Sequence, residues 1–143
     1  NITPKVTVKY KNITLREGID YKVVYKNNKK IGTAKIYVIG LNNFKDSNTY
    51  KMKIIPAKTK ITKKKATKKK ITLKLKKVKG ATGYQVMYSL KKNFKGKKKI
   101  NTKKRTVVIK RKKSGKYYVK VRAYKKIGKK YVYGNYTKRI TIK

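Results

Sequence analysis

The chain contains no cysteine, no histidine and only three acidic residues, Glu17, Asp20 and Asp46. Most enzymatic chemistry draws on those side chains: a glycosidase needs two opposed carboxylates, and a zinc site needs about four N, S or O ligands. Two of the three acids share one turn-like segment, Glu17-Gly18-Ile19-Asp20. A Ser–Lys dyad can be drawn from Ser47, Ser89 or Ser114, but with lysine everywhere that proximity carries no information. The composition therefore argues against an enzyme and nominates no catalytic residue, metal ligand or cofactor. Without cysteine, each folded unit must be held by its own core or by its neighbours. Tryptophan is absent, and no apolar run approaches the ~20 residues of a membrane span. The opening Asn1-Ile2-Thr3-Pro4 has neither an initiator Met nor a signal-peptide pattern, so the chain reads as an internal segment of a longer protein.

What is abundant is positive charge. Lys and Arg number 47 of 143 residues, for a net charge of +44, and only Arg16, Arg105, Arg111, Arg122 and Arg139 are arginine. Lysine is a hydrated point charge, whereas arginine presents the planar fork that reads guanine edges or clamps carboxylates. The basicity thus reads as a diffuse field suited to anionic polymers: teichoic acid, acidic polysaccharide or extracellular nucleic acid. The heavy use of Lys, Asn, Ile and Tyr also suits an AT-rich genome, so codon bias is a second source of the charge.

The apolar residues are β-branched and aromatic and alternate with period two, the pattern of half-buried antiparallel strands. Val6, Val8 and Tyr10 share a face, as do Tyr21, Val23 and Tyr25, then Ala34, Ile36 and Val38, then Tyr50, Met52 and Ile54. From about residue 59 the pattern restarts with Ile71, Leu73 and Leu75, then Tyr84, Val86 and Tyr88, then Val107 and Ile109, then Tyr117, Val119, Val121 and Ala123, and finally Ile140 and Ile142. Turn-rich segments separate the runs, and no amphipathic helix intervenes. This spacing predicts an all-β chain of two tandem antiparallel β-sandwich, immunoglobulin-like modules, 1–57 and 58–143, with the seam at Pro56-Ala57-Lys58. Val6, Val23, Ile36 and Ile54 are expected to be buried in the first, and Leu73, Val86, Val119 and Val121 in the second. A disordered linker over Lys63–Lys70 is the alternative to a tight turn there.

Residues 2–56 resemble a short bacterial immunoglobulin-like repeat found in tandem on Gram-positive surface proteins. The match is carried by Thr3-Pro4-Lys5-Val6-Thr7-Val8, by Leu15 through Val23 with its Glu17-Gly18 and Asp20-Tyr21 pairs, by Gly32-Thr33-Ala34, Gly40 and Asn43-Phe44, and by the closing Ile54-Ile55-Pro56. The short strand that usually precedes Thr-Pro is missing, so this module is expected to be N-terminally incomplete. Residues 59–143 resemble a fibronectin type III module through Lys70–Leu75, Val78–Val86, Ser114–Tyr124 and Tyr133-Gly134. Leu75 and Tyr136 stand where that family usually has Trp. The turn before Tyr117 is one residue short, with Lys112 in place of an apolar residue, which puts the corner at Tyr117 in question. The two resemblances imply an extracellular spacer, adhesion or wall-associating segment at the bacterial cell surface, with neighbouring repeats of the same protein as partners and no catalytic residues.

The candidate polyanion contacts are three basic runs, all expected at turns: Lys63, Lys64, Lys65, Lys68, Lys69 and Lys70; Lys97, Lys98 and Lys99; and Lys110, Arg111, Lys112 and Lys113. The bland alternative for each is solvated loop charge. Tyr118, Tyr124, Tyr131 and Tyr133 are candidates for stacking on sugars or bases, set against the commoner role of cross-strand packing. The leading expectation is a non-enzymatic surface module held to anionic wall polymer. The alternatives are a nucleic-acid-binding protein, or a subunit of an extracellular fibre or sheath formed by self-assembly.

The charge alone makes a prediction. A single 16.7 kDa globule exposes roughly 7,600 Å² of surface, so 44 net charges would sit about 13 Å apart. The Debye length is ~8 Å at physiological salt and ~30 Å at 0.01 M. The melting midpoint should therefore fall markedly in dilute buffer relative to 0.15 M salt. A midpoint flat from 0.01 to 0.5 M, measured by circular dichroism, would remove self-repulsion as a significant force.

Overall fold

In the computed structural model, which describes residues 1–143, alternation becomes antiparallel pairing throughout and no helix forms. Contacts divide the chain into two compact units, Asn1–Ile54 and Ile55–Lys143.

The first unit has five strands: β1 (Lys9–Tyr10), β2 (Ile13–Thr14), β3 (Tyr21–Lys26), β4 (Gly32–Gly40) and β5 (Ser47–Ile54). β3, β4 and β5 form a three-stranded antiparallel sheet, and β1 and β2 form a separate short ribbon. Tyr21, Ile36 and Val38 are the buried centre, packed by Val8, Leu15, Tyr25 and Met52. Ile36 and Ile54 are buried as expected, but Val6 and Val23 are only half-buried. The cause is local. The layer opposite the sheet consists of a two-residue ribbon and an extended N-terminal segment, which cover too little of it. That segment makes few backbone bonds and is held mainly by side chains of β3 and its turn: Tyr25 donates to the Pro4 carbonyl (2.5 Å), Tyr21 to Val6 (3.2 Å) and Asn28 to Ile2 (3.2 Å).

The second unit comprises β6 (Ile61–Ala66), β7 (Lys70–Leu75), β8 (Gly83–Ser89), β9 (Lys98–Thr102), β10 (Thr106–Lys110), β11 (Tyr117–Ile127), β12 (Lys130–Tyr133) and β13 (Ile140–Ile142). One sheet runs β10-β7-β6; the other runs β12-β11-β8-β9, with β13 also pairing β11. Inward residues of both sheets meet in one core. Ile71, Leu73 and Ile109 come from the first sheet and Val86, Val119 and Val121 from the second, all fully sealed from solvent. Leu75 is 1% exposed. Burying a side chain of this size stabilises the fold by roughly 1.5–3 kcal/mol, so this unit is better supplied than the first.

The basic stretch Lys63–Lys70 is neither a disordered linker nor wholly a turn. Lys63, Lys64 and Lys65 lie in β6 at the edge of the sheet, and only Thr67–Lys69 turn, with the Thr67 N–H donating to the Lys70 carbonyl (2.8 Å). Lys64 pairs with Leu73 and so lies on the core-facing side at the edge, where a charge obstructs further strand addition. The strand forms because β7 supplies an antiparallel partner, which outweighs the poor strand propensity of lysine.

Gly134 explains itself by proximity. Its N–H donates to the Ala123 carbonyl (2.9 Å), and a Cβ at this position would strike the carbonyl oxygen of the fully buried Pro56. Gly134→Ala should therefore cost about 1–3 kcal/mol, read as a lower midpoint in thermal denaturation. An unchanged midpoint would show that the Pro56 segment moves aside freely.

Candidate basic cleft

Tyr117, at the start of β11, anchors the β10–β11 loop. The phenol donates to the Lys113 carbonyl four residues upstream (3.1 Å), and the ring stacks on Tyr88 at 6.4 Å between centroids. Arg111 covers the other side, with its guanidinium carbon 5.3 Å from the Tyr117 ring centre. Its Nη1 donates to Thr67 (3.2 Å) and its Nη2 to Gly115 (3.0 Å), while its Nε is buried without an acceptor. One arginine thereby ties the β6–β7 turn to the β10–β11 loop.

The β8–β9 loop is fixed by Ser89. Its hydroxyl donates to the Lys95 carbonyl (2.8 Å) and accepts from the Lys91 N–H (3.1 Å), and the loop closes through left-handed Phe94 and Gly96. Arg139 braces the same loop by donating to the Lys92 carbonyl (3.2 Å).

Between these two loops lies a cleft of about 350 Å³. Tyr88, Leu90 and Tyr117 supply its apolar wall, and Lys91, Lys95, Lys98, Lys110, Lys112 and Lys113 surround it. No acidic residue lines it, and the molecule contains a single ion pair, Arg16 with Asp20 at 3.7 Å. Ligand sites commonly occupy about 300–1,000 Å³, so the volume suits one small ring or a chain end.

The structure thus brings together parts of two predicted clusters and leaves the third aside. Lys98, Lys110, Lys112 and Lys113 converge on the cleft; Lys97 is exposed in the loop beside it, and Lys99 pairs with Met87 in the sheet. Lys63, Lys64 and Lys65 are on the β6 edge; Lys68 and Lys69 occupy the turn tied to Arg111, and Lys70 pairs with Lys110. Arg111 is half-buried and already engaged, so its role here is to clamp the loops, not to offer a free cation. Lys91, Tyr88 and Tyr117 were missed as lining residues because no run of charge marks them. Their signal is tertiary, the meeting of segments separated by more than twenty positions.

Of the four tyrosines nominated for stacking, Tyr124 is buried, Tyr118 and Tyr133 are half-buried beneath neighbours, and Tyr131 is 41% exposed. Tyr124, expected outward, is 6% exposed and lies edge-on to Tyr131 (5.2 Å) and Tyr133 (6.1 Å). Gly83 opposite leaves room for it, since a Cβ there would approach the Tyr124 hydroxyl to 2.6 Å. Arg122 lies over Tyr133 (3.7 Å) and Tyr136 (4.4 Å), Lys120 over Phe94 (4.6 Å) and Tyr136 (4.8 Å), and Arg139 over Tyr118 (5.5 Å). Buried Gln85 anchors this outer layer. Its carbonyl accepts from Arg122 Nε (2.9 Å) and the Tyr136 hydroxyl (2.7 Å), and its amide donates to Asn101 (2.9 Å). Burial pushes the Tyr136 phenol above its ordinary value, against the lowering effect of Arg122, so it stays protonated and keeps donating. Burial likewise raises Tyr124, with Tyr131 and Tyr133 adding to the shift.

Arg111→Lys keeps the charge but loses the fork that spans two carbonyls. It should lower stability by roughly 1–2 kcal/mol while leaving the salt concentration for elution from heparin unchanged. Weaker retention with unchanged stability would make Arg111 a direct polymer contact. Comparison with known proteins adds no relative to this geometry: no family model matches the chain, and no curated protein matches its sequence.

Proposed function

We propose that this chain is a non-enzymatic, extracellular spacer or wall-associating segment of a larger bacterial surface protein, and that it binds anionic polymers through lysine charge. The observation that carries the reading is the ring of lysines around the cleft with no carboxylate among them. A buried or concave cluster of one sign raises the local concentration of the opposite sign, and the low-dielectric wall of Tyr88, Leu90 and Tyr117 focuses the field.

Further support comes from the fold. In the second unit the β10-β7-β6 and β12-β11-β8-β9 sheets over one core, with the Tyr117 corner, suit a fibronectin type III module. In the first, Tyr21 pairs with Gly40 and the Leu41 N–H donates to the Asp20 carbonyl (2.8 Å), which gives the Asp-Tyr pair and the glycine of the immunoglobulin-like repeat a structural purpose. Of the tyrosines that a single-strand nucleic-acid binder would leave open as a platform, Tyr118 and Tyr133 lie beneath Arg139 and Arg122, Tyr124 is buried, and only Tyr131 stays exposed. That favours polymer binding by charge over base stacking.

Heparin, teichoic acid and duplex DNA columns should each retain the protein at low salt and release it as salt rises, with log affinity falling linearly in log salt at a slope of roughly 0.9 per phosphate neutralised on duplex DNA. Retention by none of the three would overturn the proposal. Strong preference for one DNA sequence would replace it with a nucleic-acid function.

A further inference from the structure

We infer that the cleft between the β8–β9 and β10–β11 loops is a discrete subsite for one acidic sugar residue of such a polymer, a ring bearing carboxylate, sulfate or phosphate groups. This inference rests on the polyanion reading and narrows it from a diffuse field to a place.

Charge density is the first reason. The net charge of +44 spread over 10,772 Å² averages one charge per about 245 Å². A cleft of about 350 Å³ is only about 9 Å across, yet six lysines line it. That width is close to the ~8 Å Debye length at physiological salt, so an anion seated there interacts with several ammonium groups at once.

The second reason is the chemistry of the lining. Lysine ammonium groups donate hydrogen bonds and cannot accept them. Of the other polar side chains of the cleft, Ser89 is bonded to Lys95 and Lys91 and the Tyr117 hydroxyl to Lys113, which leaves the Tyr88 hydroxyl uncommitted. The six lysines make the rim rich in donors, matching a ligand that presents oxygens as acceptors. A nucleobase edge mixes donors with acceptors and finds few partners here for its amino groups. Nor do the two tyrosines form an open slot for a base, since Tyr88 and Tyr117 stack on each other and Arg111 covers Tyr117. The half-buried Tyr88 ring and Leu90 remain to meet the C–H face of a sugar.

A second depression on the same unit provides the control. It is lined by Lys58, Lys60 and Lys138 together with Thr59, Ile61, Thr137 and Ile140, and contains no aromatic ring. The probe is a heparin-derived tetrasaccharide, titrated calorimetrically at 0.15 M salt against the full chain and two triple variants that each remove three charges. Lys98→Gln with Lys110→Gln and Lys113→Gln should weaken tetrasaccharide binding at least tenfold. Lys58→Gln with Lys60→Gln and Lys138→Gln should weaken it less than threefold. Tyr88→Leu, which keeps an apolar side chain, should weaken it severalfold with little effect on retention by polymeric heparin, its folding being verified by circular dichroism.

Equal losses in the two triple variants, or no tetrasaccharide binding by the full chain while polymeric heparin still retains it, overturn the subsite and leave the polymer reading intact. Loss of retention by polymeric heparin itself overturns both. An unchanged affinity in folded Tyr88→Leu overturns the seating of the sugar ring. A thymidine tetranucleotide that binds as tightly and is lost in the same lysine triple overturns the sugar assignment in favour of nucleic acid.

Discussion

A fold with 47 cationic side chains and three acids cannot neutralise its charge internally, and the Arg16–Asp20 contact is the one ion pair it makes. The remaining cations have three ways to be accommodated: hydration, backbone carbonyl oxygens, and the negative faces of aromatic rings. The second unit uses all three. Rings over which a cation sits gain about 0.5–1 kcal/mol each at exposed sites, a modest return that requires no carboxylate. Several tyrosines serve this end: Tyr118, Tyr133 and Tyr136 receive arginine, Tyr136 also receives a lysine, and the phenol of Tyr136 donates to Gln85.

The same constraint separates the two basic residue types. Three of the five arginines serve the architecture, where the fork holds two carbonyls or a carbonyl and a ring: Arg111 joins two loops, Arg122 lies against Gln85 and two tyrosines, and Arg139 braces the β8–β9 loop. Lysine, more strongly hydrated and harder to desolvate, covers strand surfaces and surrounds the cleft. Replacing one by the other is thus not a conservative change here. The loops that shape the cleft owe their positions to arginine, and the cleft owes its charge to lysine.

The two units meet the constraint with unequal cores. Both carry the period-two pattern, and the residue sets read from it in β3, β4, β7, β8 and β11 share faces as expected. The half-buried state of Val6 and Val23 was not legible, because alternation reports which side a residue faces and not how well that side is covered. Lys63, Lys64 and Lys65 were misread as turn residues for a related reason: lysine has low strand propensity, and only the pairing of β6 with β7 makes a strand of them. Tyr124 faces outward by alternation, as the sequence implies, yet is buried, since Tyr131 and Tyr133 from β12 fold over it.

Composition and periodicity were enough to determine the all-β class, the antiparallel pairing, the inward residues of the second core and the sign of the surface field, because each follows from local chemistry repeated along the chain. The cleft required tertiary structure. Its wall comes from the end of β8 and the start of β11, and its rim from two loops whose meeting is set by Ser89, Arg111, Arg139 and the Tyr117 corner. Basic runs of similar appearance along the sequence therefore met different fates, one on a sheet edge and two beside a common cavity. Distances across a fold are fixed by strand pairing and loop anchoring, and runs of like charge do not encode either.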